Sequence, residues 1–359
     1  MCIRDRYCVG CELEKTDSEL VDGKCVDHSN RELKLIDEEN YFFKFSEFQK
    51  PLLKLYEKKS NFVIPNSRFN EIKAFVERGL QDFSISRLKS KMSWGVPVPD
   101  DEEHVMYVWF DALVNYISTL GWPENKDLFN KFWVEGETVQ YAGKDNLRQQ
   151  SAMWQAMLLA VGIKPTDHVV IDGFVTGEGG VKMSKSLGNV VRPHDLVKEY
   201  GTDALRYYCL RELSPFEDSP FSIELFKSAY NANLANGIGN LTSRIMKMAE
   251  TNLESPVEIS SIDFPKEYVD AFENFDIQKV AHVVWNKISL LDQKIQETQP
   301  FKLVKTEKEK GIQIITELVQ GLAEVAQLLE PLLPETAQKI KQAIKANKPP
   351  ATPLFARKD

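Results

Sequence analysis

The feature that most constrains this chain is a change of pattern along its length. Short apolar runs alternate with helical runs up to about residue 223, and strand signals then fade. Residues 105–110, 138–142 and 168–172 read as buried strands, with helical runs at 112–120 and 147–161 between them. Strand and helix in this alternation predict a parallel sheet with right-handed crossovers. Active groups in such sheets gather at the carboxyl ends of strands. Farther on, Tyr230, Leu234, Ile238, Leu241, Ile245 and Met248 recur at three- and four-residue steps. Val280, Val284, Ile288, Leu291 and Ile295 repeat the rhythm, as do Leu318, Leu322, Val325 and Leu329. These stripes, closed by a helix opening near Pro334, predict an antiparallel helical bundle. The fold class is therefore α/β plus all-α.

A chain of 359 residues, 43% hydrophobic, is long enough for about two or three domains with sizeable cores. Aromatics at 10%, with scattered Gly and Pro, exclude disordered and collagen-like classes. The net charge of −8 argues against non-specific coating of nucleic acid, but leaves room for a shaped nucleic-acid partner met by local basic patches. The longest clean apolar run, 156–163, is too short to cross a bilayer, and no apolar stretch near the start resembles a signal peptide. A soluble, cytoplasmic, monomeric chain without a membrane partner is expected. Residues 1–6 read as a non-native start.

The segment 7–30 is turn-rich and punctuated by cysteine. Cys8-x2-Cys11 and Cys25-x2-His28 form two chelating pairs separated by 13 residues. Two such pairs complete a tetrahedron for a structural Zn2+, with no open position for catalysis. The competing reading is a reduced surface loop whose spacing is accidental. Cys209 sits in an apolar run and reads as a core thiol, while Cys2 has no partner at useful spacing. Residues 39–79 turn helical, with Phe48, Leu52, Leu55 and Tyr56 on one face, and 94–99 are turn-rich.

Gly177-Glu178-Gly179-Gly180-Val181 leads into Lys182-Met183-Ser184-Lys185-Ser186. Glycines let the backbone approach a polyphosphate and swing, and paired lysines and hydroxyls can clamp a charged leaving group. This KMSKS string resembles the second signature of class I aminoacyl-tRNA synthetases, and the wider chain, from about residue 7 to 358, resembles the methionyl-tRNA synthetase family. The resemblance is carried by Asn40-Tyr41-Phe42-Phe43, Ile85-Ser86-Arg87, Tyr107-Val108-Trp109-Phe110-Asp111-Ala112, Gly143-Lys144-Asp145 and Gly201-Thr202-Asp203-Ala204-Leu205-Arg206-Tyr207-Tyr208.

The resemblance implies the second half of a Rossmann-type parallel sheet at 101–175, preceded by a connective peptide with a zinc knuckle at 7–100. It implies a KMSKS loop and stem-contact region at 176–225, an anticodon-binding bundle at 226–350 and a tail at 351–359. The implied reaction activates L-methionine with ATP to methionyl-adenylate and transfers it to tRNA(Met), with Mg2+ accompanying ATP. Lys185 would stabilise the transition state, with Lys182, Ser184 and Ser186 shaping the loop. Trp109, Ala112, Leu113 and Tyr116 share one face and match the methionine pocket. From the residues alone this stripe is more often core. Arg87 matches an arginine near the substrate's polar end; its plain alternative is a surface ion pair. Gly143 and Asp145 would meet the ribose, although a Gly-Lys-Asp string alone is weak evidence. Gln150 stands where a pocket histidine is usual, and Gln155 where proline is usual. Pro300-Phe301 stands where Pro-Trp stacks on the anticodon, and equally reads as an apolar helix start. Arg244 and Lys247 are candidates for phosphate contact, or merely a solvated face.

The first class signature, His-x-Gly-His, does not occur around His28, His104, His168, His194 or His282. A synthetase truncated at its start is the expectation, inactive alone. Two alternatives stand beside it: another nucleotidyltransferase with a KMSKS-type loop, or a catalytically silent tRNA-binding, zinc-organised module.

Overall fold

A computed structural model describes residues 2–8, 13–14, 20–25, 32–181, 183 and 188–358. The chain divides into two compact units, Met1–Ile171 and Asp172–Asp359.

The first unit opens with β1 (Cys2–Cys8), β2 (Leu13–Glu14), β3 (Leu20–Val21), β4 (Lys24–Cys25) and β5 (Lys34–Glu39). β1 lies antiparallel between β2 and β5, with Cys2 opposite Glu39 and Tyr7 opposite Lys34. Where the sequence shows only helical rhythm over 39–79, the chain forms β6 (Phe42–Phe43), α1 (Gln49–Lys58), β7 (Val63–Ile64) and α2 (Asn66–Glu77). Leu52 and Tyr56 are the buried face of α1; Phe69, Ile72 and Val76 are that of α2.

β8 (Phe83–Ser84), β9 (Ser86–Leu88), β10 (Pro97–Val98) and β11 (Asp101–Met106) follow. The strand expected at 105–110 is β11. It begins four residues earlier, ends at Met106, and runs antiparallel to β9 and β10. Its polar first half, Asp101–His104, hid it from an apolar-run criterion. Trp109 and Phe110 belong instead to α3 (Val108–Ala112), followed by α4 (Asn115–Ser118) and α5 (Asp127–Phe129).

The parallel sheet is built from β12 (Val139–Gly143), β13 (His168–Asp172) and β7, in the order β12-β13-β7, with Val169 and Val170 of β13 parallel to Val63 and Ile64. Its third strand is thus the two-residue β7. Between β12 and β13 the chain makes a π turn at Gln149–Met153 that runs into α6 (Trp154–Ala160). Asp167 anchors the strand starts. Its carboxylate receives Lys59 Nζ at 2.6 Å, Lys164 Nζ at 2.8 Å and Thr138 N at 3.0 Å. Burial opposes ionisation there, but the hydrogen bonds from Lys164 and Lys59 win and hold the carboxyl well below its ordinary range.

The second unit starts with β14 (Val175–Thr176), α7 (Pro193–Tyr200), α8 (Thr202–Tyr207) and β15 (Ser219–Pro220), β14 and β15 being parallel. Helices then take over: α9 (Ile223–Ala229), a π segment at Tyr230–Gly239 broken at Gly237, and α10 (Asn240–Asn252). α11 (Lys266–Glu273), α12 (Ile277–Thr298), α13 (Pro300–Thr306), α14 (Lys308–Leu329) and α15 (Pro334–Ala346) complete the bundle. Most of the stripe residues are buried, among them Leu234, Ile245, Val284, Leu318 and Leu329, in one continuous core. α14 is long and apolar enough to cross a bilayer, although no clean apolar run in the sequence is; its Ile315, Leu318, Leu322 and Val325 are spent on that core. Cys209, expected in the core, is exposed.

The Gly201–Tyr208 string has a structural duty. Asp203 is 5% exposed, and its Oδ2 accepts from both the backbone N and the hydroxyl of Thr336 at 2.7 Å. It caps the first turn of α15, whose own flanking residue, Leu333, cannot. Arg206 donates to the carbonyls of Leu332 and Pro331 just before that turn. Asp203→Ala leaves a buried N–H unpaired and is expected to lower stability by about 2 kcal/mol, seen as a lower urea midpoint at unchanged slope. An unchanged midpoint would contradict this role.

Candidate functional site

In the first unit, the turn from β11 into α3 and α4 presents one mixed face. Leu113, 2% exposed, joins Ile117, Phe129, Trp133, Trp154, Met157 and Leu158 in an apolar cluster; Trp109 and Tyr116 pack against that cluster. Tyr116 lies tilted on Trp154 at 6.0 Å between ring centroids. Its hydroxyl accepts a 3.0 Å hydrogen bond from Gln150 Nε2, which leaves the hydroxyl proton free to be donated elsewhere. Trp109 Nε1 and Gln150 Oε1 are buried without a partner among the described residues. Ala112 closes α3 and is partly buried. Residues Trp109, Leu113, Tyr116 and Gln150 are therefore brought together. An apolar, aromatic-walled face with a few unspent polar atoms is the usual construction of a small-ligand site.

Gln150 stands in the π turn, and a buried amide network holds that turn. Gln155 Nε2 donates to the Gln150 carbonyl at 2.8 Å and to Thr166 Oγ1 at 3.1 Å, while its Oε1 accepts from Thr166 N at 3.0 Å. Thr166 Oγ1 in turn donates to Gln140 Oε1 on β12 at 2.7 Å. The proline usual at position 155 has no amide with which to do this.

Arg87 is buried rather than on the surface. It is 8% exposed on β9, donates to Ser84 Oγ at 2.6 Å and to the Ser86 carbonyl at 2.7 Å, and its guanidinium lies 4.7 Å from the centre of the Tyr107 ring. Gly143 ends β12, and Asp145 follows it, exposed, at the carboxyl end of the strand. Sequence reasoning passed over Asp172, which ends β13 at the corresponding position. Burial alone pushes its carboxyl up to about 6. A desolvated carboxylate at a strand's carboxyl end is a signal the rule for parallel sheets supplies.

In the second unit the glycine loop leaves β14. Gly177 N donates to the Val181 carbonyl at 2.7 Å, while Gly179 and Gly180 take left-handed φ of 70° and 76°, which glycine alone adopts without strain. Met183 packs against the helical core. Lys182, Ser184, Lys185 and Ser186 lie outside the described residues, as do Cys11 and His28 of the expected zinc set. Cys8 and Cys25 are buried, at 1% and 0% exposure, at the ends of β1 and β4. Among the described residues no cluster of three or more His, Cys, Asp or Glu is placed to hold a metal ion.

A family model described as "tRNA synthetases class I (M)" matches residues 3–246. The chain belongs to the class I methionyl-tRNA synthetase family. It is 38% identical over 359 residues to a methionine–tRNA ligase of Fusobacterium nucleatum, covering 96% of this chain and 56% of that protein. It is 40% identical to the enzyme of Clostridium acetobutylicum, covering 93% of this chain and 54% of that one. The chain thus spans about half the length of these curated relatives. Among solved structures it is similar to Mycobacterium tuberculosis methionyl-tRNA synthetase bound by methionyl-adenylate, with a TM-score of 0.84 at 31% identity, covering 99% of this chain and 77% of that one. The class I synthetase fold, with its parallel sheet and helix-rich C-terminal region, is thereby established.

In the bundle of this synthetase-family chain, Pro300 is buried and Phe301 is 47% exposed at the start of α13, with Lys302 Nζ 5.8 Å from the ring centre. Arg244 and Lys247, candidates for phosphate contact or a solvated face, are paired with Asp292 at 2.5 Å and Glu250 at 2.8 Å.

Asp172 generates a pH prediction. Its native carboxyl titrates at about 6, whereas an unfolded aspartate titrates near ~3.9. Between those values the native state holds a proton that the unfolded chain releases, so stability falls as pH rises through the window. Asp172→Asn is expected to raise Tm at pH 8 and to change it little at pH 4, by calorimetry. Equal shifts at both would contradict the burial reading.

Proposed function

We propose that this chain carries the methionine-pocket, lysine-loop and bundle portions of a methionine–tRNA ligase. The observation that supports this best is its likeness, over 99% of its length, to a synthetase bound by methionyl-adenylate. In the proposed reaction a carboxylate oxygen of L-methionine attacks the α-phosphorus of ATP, which arrives with Mg2+, and the bond to pyrophosphate breaks. A hydroxyl of the terminal ribose of tRNA(Met) then attacks the aminoacyl carbonyl, and AMP leaves.

The residues divide this work by chemistry. The Trp109, Ala112, Leu113 and Tyr116 face takes the thioether, since sulfur packs well against rings and weakly accepts a proton from a hydroxyl. Tyr116 has that proton to offer because Gln150 occupies its lone pair. Gln150 thereby does by amide what a histidine does elsewhere, and Arg87, held by Ser84 and Ser86, stands for the polar end. Gly143 and Asp145 meet the ribose hydroxyls. Lys185 steadies the departing pyrophosphate, with Lys182, Ser184 and Ser186 shaping its loop. Phe301, exposed after buried Pro300, offers its ring for anticodon stacking.

The thiols of Cys8 and Cys25 suit zinc: both are buried, and thiolate is a soft donor that zinc binds well. Cys8, Cys11, Cys25 and His28 would hold it in a closed, structural set. One equivalent of zinc is expected in the purified protein, with loss of the 2–39 fold on chelation. Less than a tenth of an equivalent by metal analysis would remove the site.

Lys185→Ala is expected to cut methionine-dependent ATP–pyrophosphate exchange by about a hundredfold or more through kcat, in the chain joined to a segment bearing His-x-Gly-His. The 359-residue chain alone, which has no such signature, is expected to show no exchange above background. Exchange that is unaffected by Lys185→Ala would overturn the proposal.

A further inference from the structure

His104 stands on β11 with its side chain only 12% exposed, and both of its ring nitrogens face acceptors. Nδ1 lies 2.9 Å from Asp101 Oδ2, and Nε2 lies 2.9 Å from the carbonyl oxygen of Glu39, the last residue of β5. Asp101 is kept ionised. Its Oδ2 also accepts from the Tyr41 hydroxyl at 2.9 Å, and its Oδ1 accepts from Glu103 N at 2.9 Å. The Tyr41 bond first, and then the others, hold its carboxyl below the ordinary range. Neither acceptor facing His104 thus carries a proton of its own. A neutral imidazole has one N–H and can satisfy one of them; only the imidazolium donates to both.

The surroundings favour the same form. The Glu39 carbonyl first, and then Asp101, hold the ring's pKa above its ordinary value although burial opposes it, and the Glu39 carboxylate adds to this. Across the strands His104 faces Leu88 of β9, and β10 offers Pro97 and Val98, none of them charged. Arg87, beside Leu88, turns its guanidinium to Ser84, Ser86 and Tyr107, while Lys89, Glu102 and Glu103 are exposed. The Tyr41 ring stands edge-on to His104, 5.4 Å between centroids.

We propose that His104 is a protonation latch: as the imidazolium it clasps the end of β5 to β11, and as the neutral ring it lets that end go. β5 pairs with β1, the strand that ends in Cys8, so the latch governs the hold on the β2-β1-β5 sheet. Just beyond it, Tyr41 N donates to Ser86 Oγ at 2.9 Å, and the Tyr41 carbonyl accepts from Ile85 N at 2.8 Å. Neither of these bonds titrates, so the chain stays pinned at Tyr41 and the sheet pivots before it. The closed latch has a pKa above that of a free histidine, ~6.5. Its contribution is complete below that value and is lost as pH rises through the closed-state pKa.

The test titrates the His104 ring by NMR of its nitrogens in the 359-residue chain and follows amide exchange of Lys34–Glu39, corrected for the intrinsic effect of pH, with α12 as reference. His104 is expected to titrate above ~6.5, with both nitrogens protonated on the acid side. Linkage then requires that each pH unit by which it lies higher removes about tenfold of the protection of β5 between the acid and alkaline limits, with α12 unchanged. Asp101→Asn, whose amide can donate to a neutral ring nitrogen, is expected to lower the His104 pKa and to abolish the pH dependence at β5. A His104 that titrates at or below ~6.5 overturns the latch. So does protection at β5 that stays flat, that falls only as α12 falls, or that keeps its pH dependence in Asp101→Asn.

Discussion

The candidate pocket depends on one buried amide network. Gln155, fully buried, spends both ends of its side chain on Thr166 and adds a donor to the Gln150 carbonyl, and Thr166 passes the chain of hydrogen bonds on to Gln140 in β12. Polar groups at that depth are tolerated only when bonded, and once bonded they fix a single arrangement. The arrangement fixed here is a π turn, the irregularity that re-aims side chains within a helix and recurs at functional sites. It carries Gln150 to the Tyr116 hydroxyl, and so couples the sheet, the helix after it and the face of α3 and α4. Remove the network and the pocket wall has no reason to stand where it does.

The two units solve different problems. The first must hold strand ends steady around small polar groups, and it does so with short charged and amide contacts such as Asp167 with Lys59, Lys164 and Thr138. The second is a helical bundle whose stability comes from a continuous apolar core. Its specificity comes from a few directional clasps, Asp203 on Thr336 and Arg206 on the loop before α15. The family string that contains Asp203 and Arg206 thus serves the architecture of the bundle. The glycine loop between β14 and α7 has the opposite character. Gly179 and Gly180 are left-handed, and open space lies where a Cβ would stand on either.

Much of this was legible in the sequence where periodicity was strong. The bundle stripes at 230–248, 280–295 and 318–329 mark buried helices, because apolar residues at three- and four-residue steps line one face that the core covers. Residues 138–142 and 168–172 lie within one residue of β12 and β13 for the same reason. What was not legible lacked local signal. β7 is two residues long and owes its existence to pairing with β13. β11 begins with Asp101, Glu102 and Glu103, whose charge masks a strand set by its antiparallel neighbours. Cys209 looked like core because its neighbours are apolar, yet a helix turns one residue in three or four outward. Within the site, Tyr116 and Gln150 are 34 residues apart, and only the fold reveals their bond. Asp172 was overlooked because its desolvation comes from tertiary packing.

The thioether side chain proposed to enter the Trp109–Tyr116 face, braced by Gln150, can be sought in solution. Saturation-transfer NMR of L-methionine with the purified chain suits this, since weak binding suffices for a signal. The strongest transfer is expected at the S-methyl group, with that transfer lost in Trp109→Ala and no transfer to L-alanine in the wild type. An S-methyl signal that is absent from the wild type, or unchanged in Trp109→Ala, would contradict the proposal.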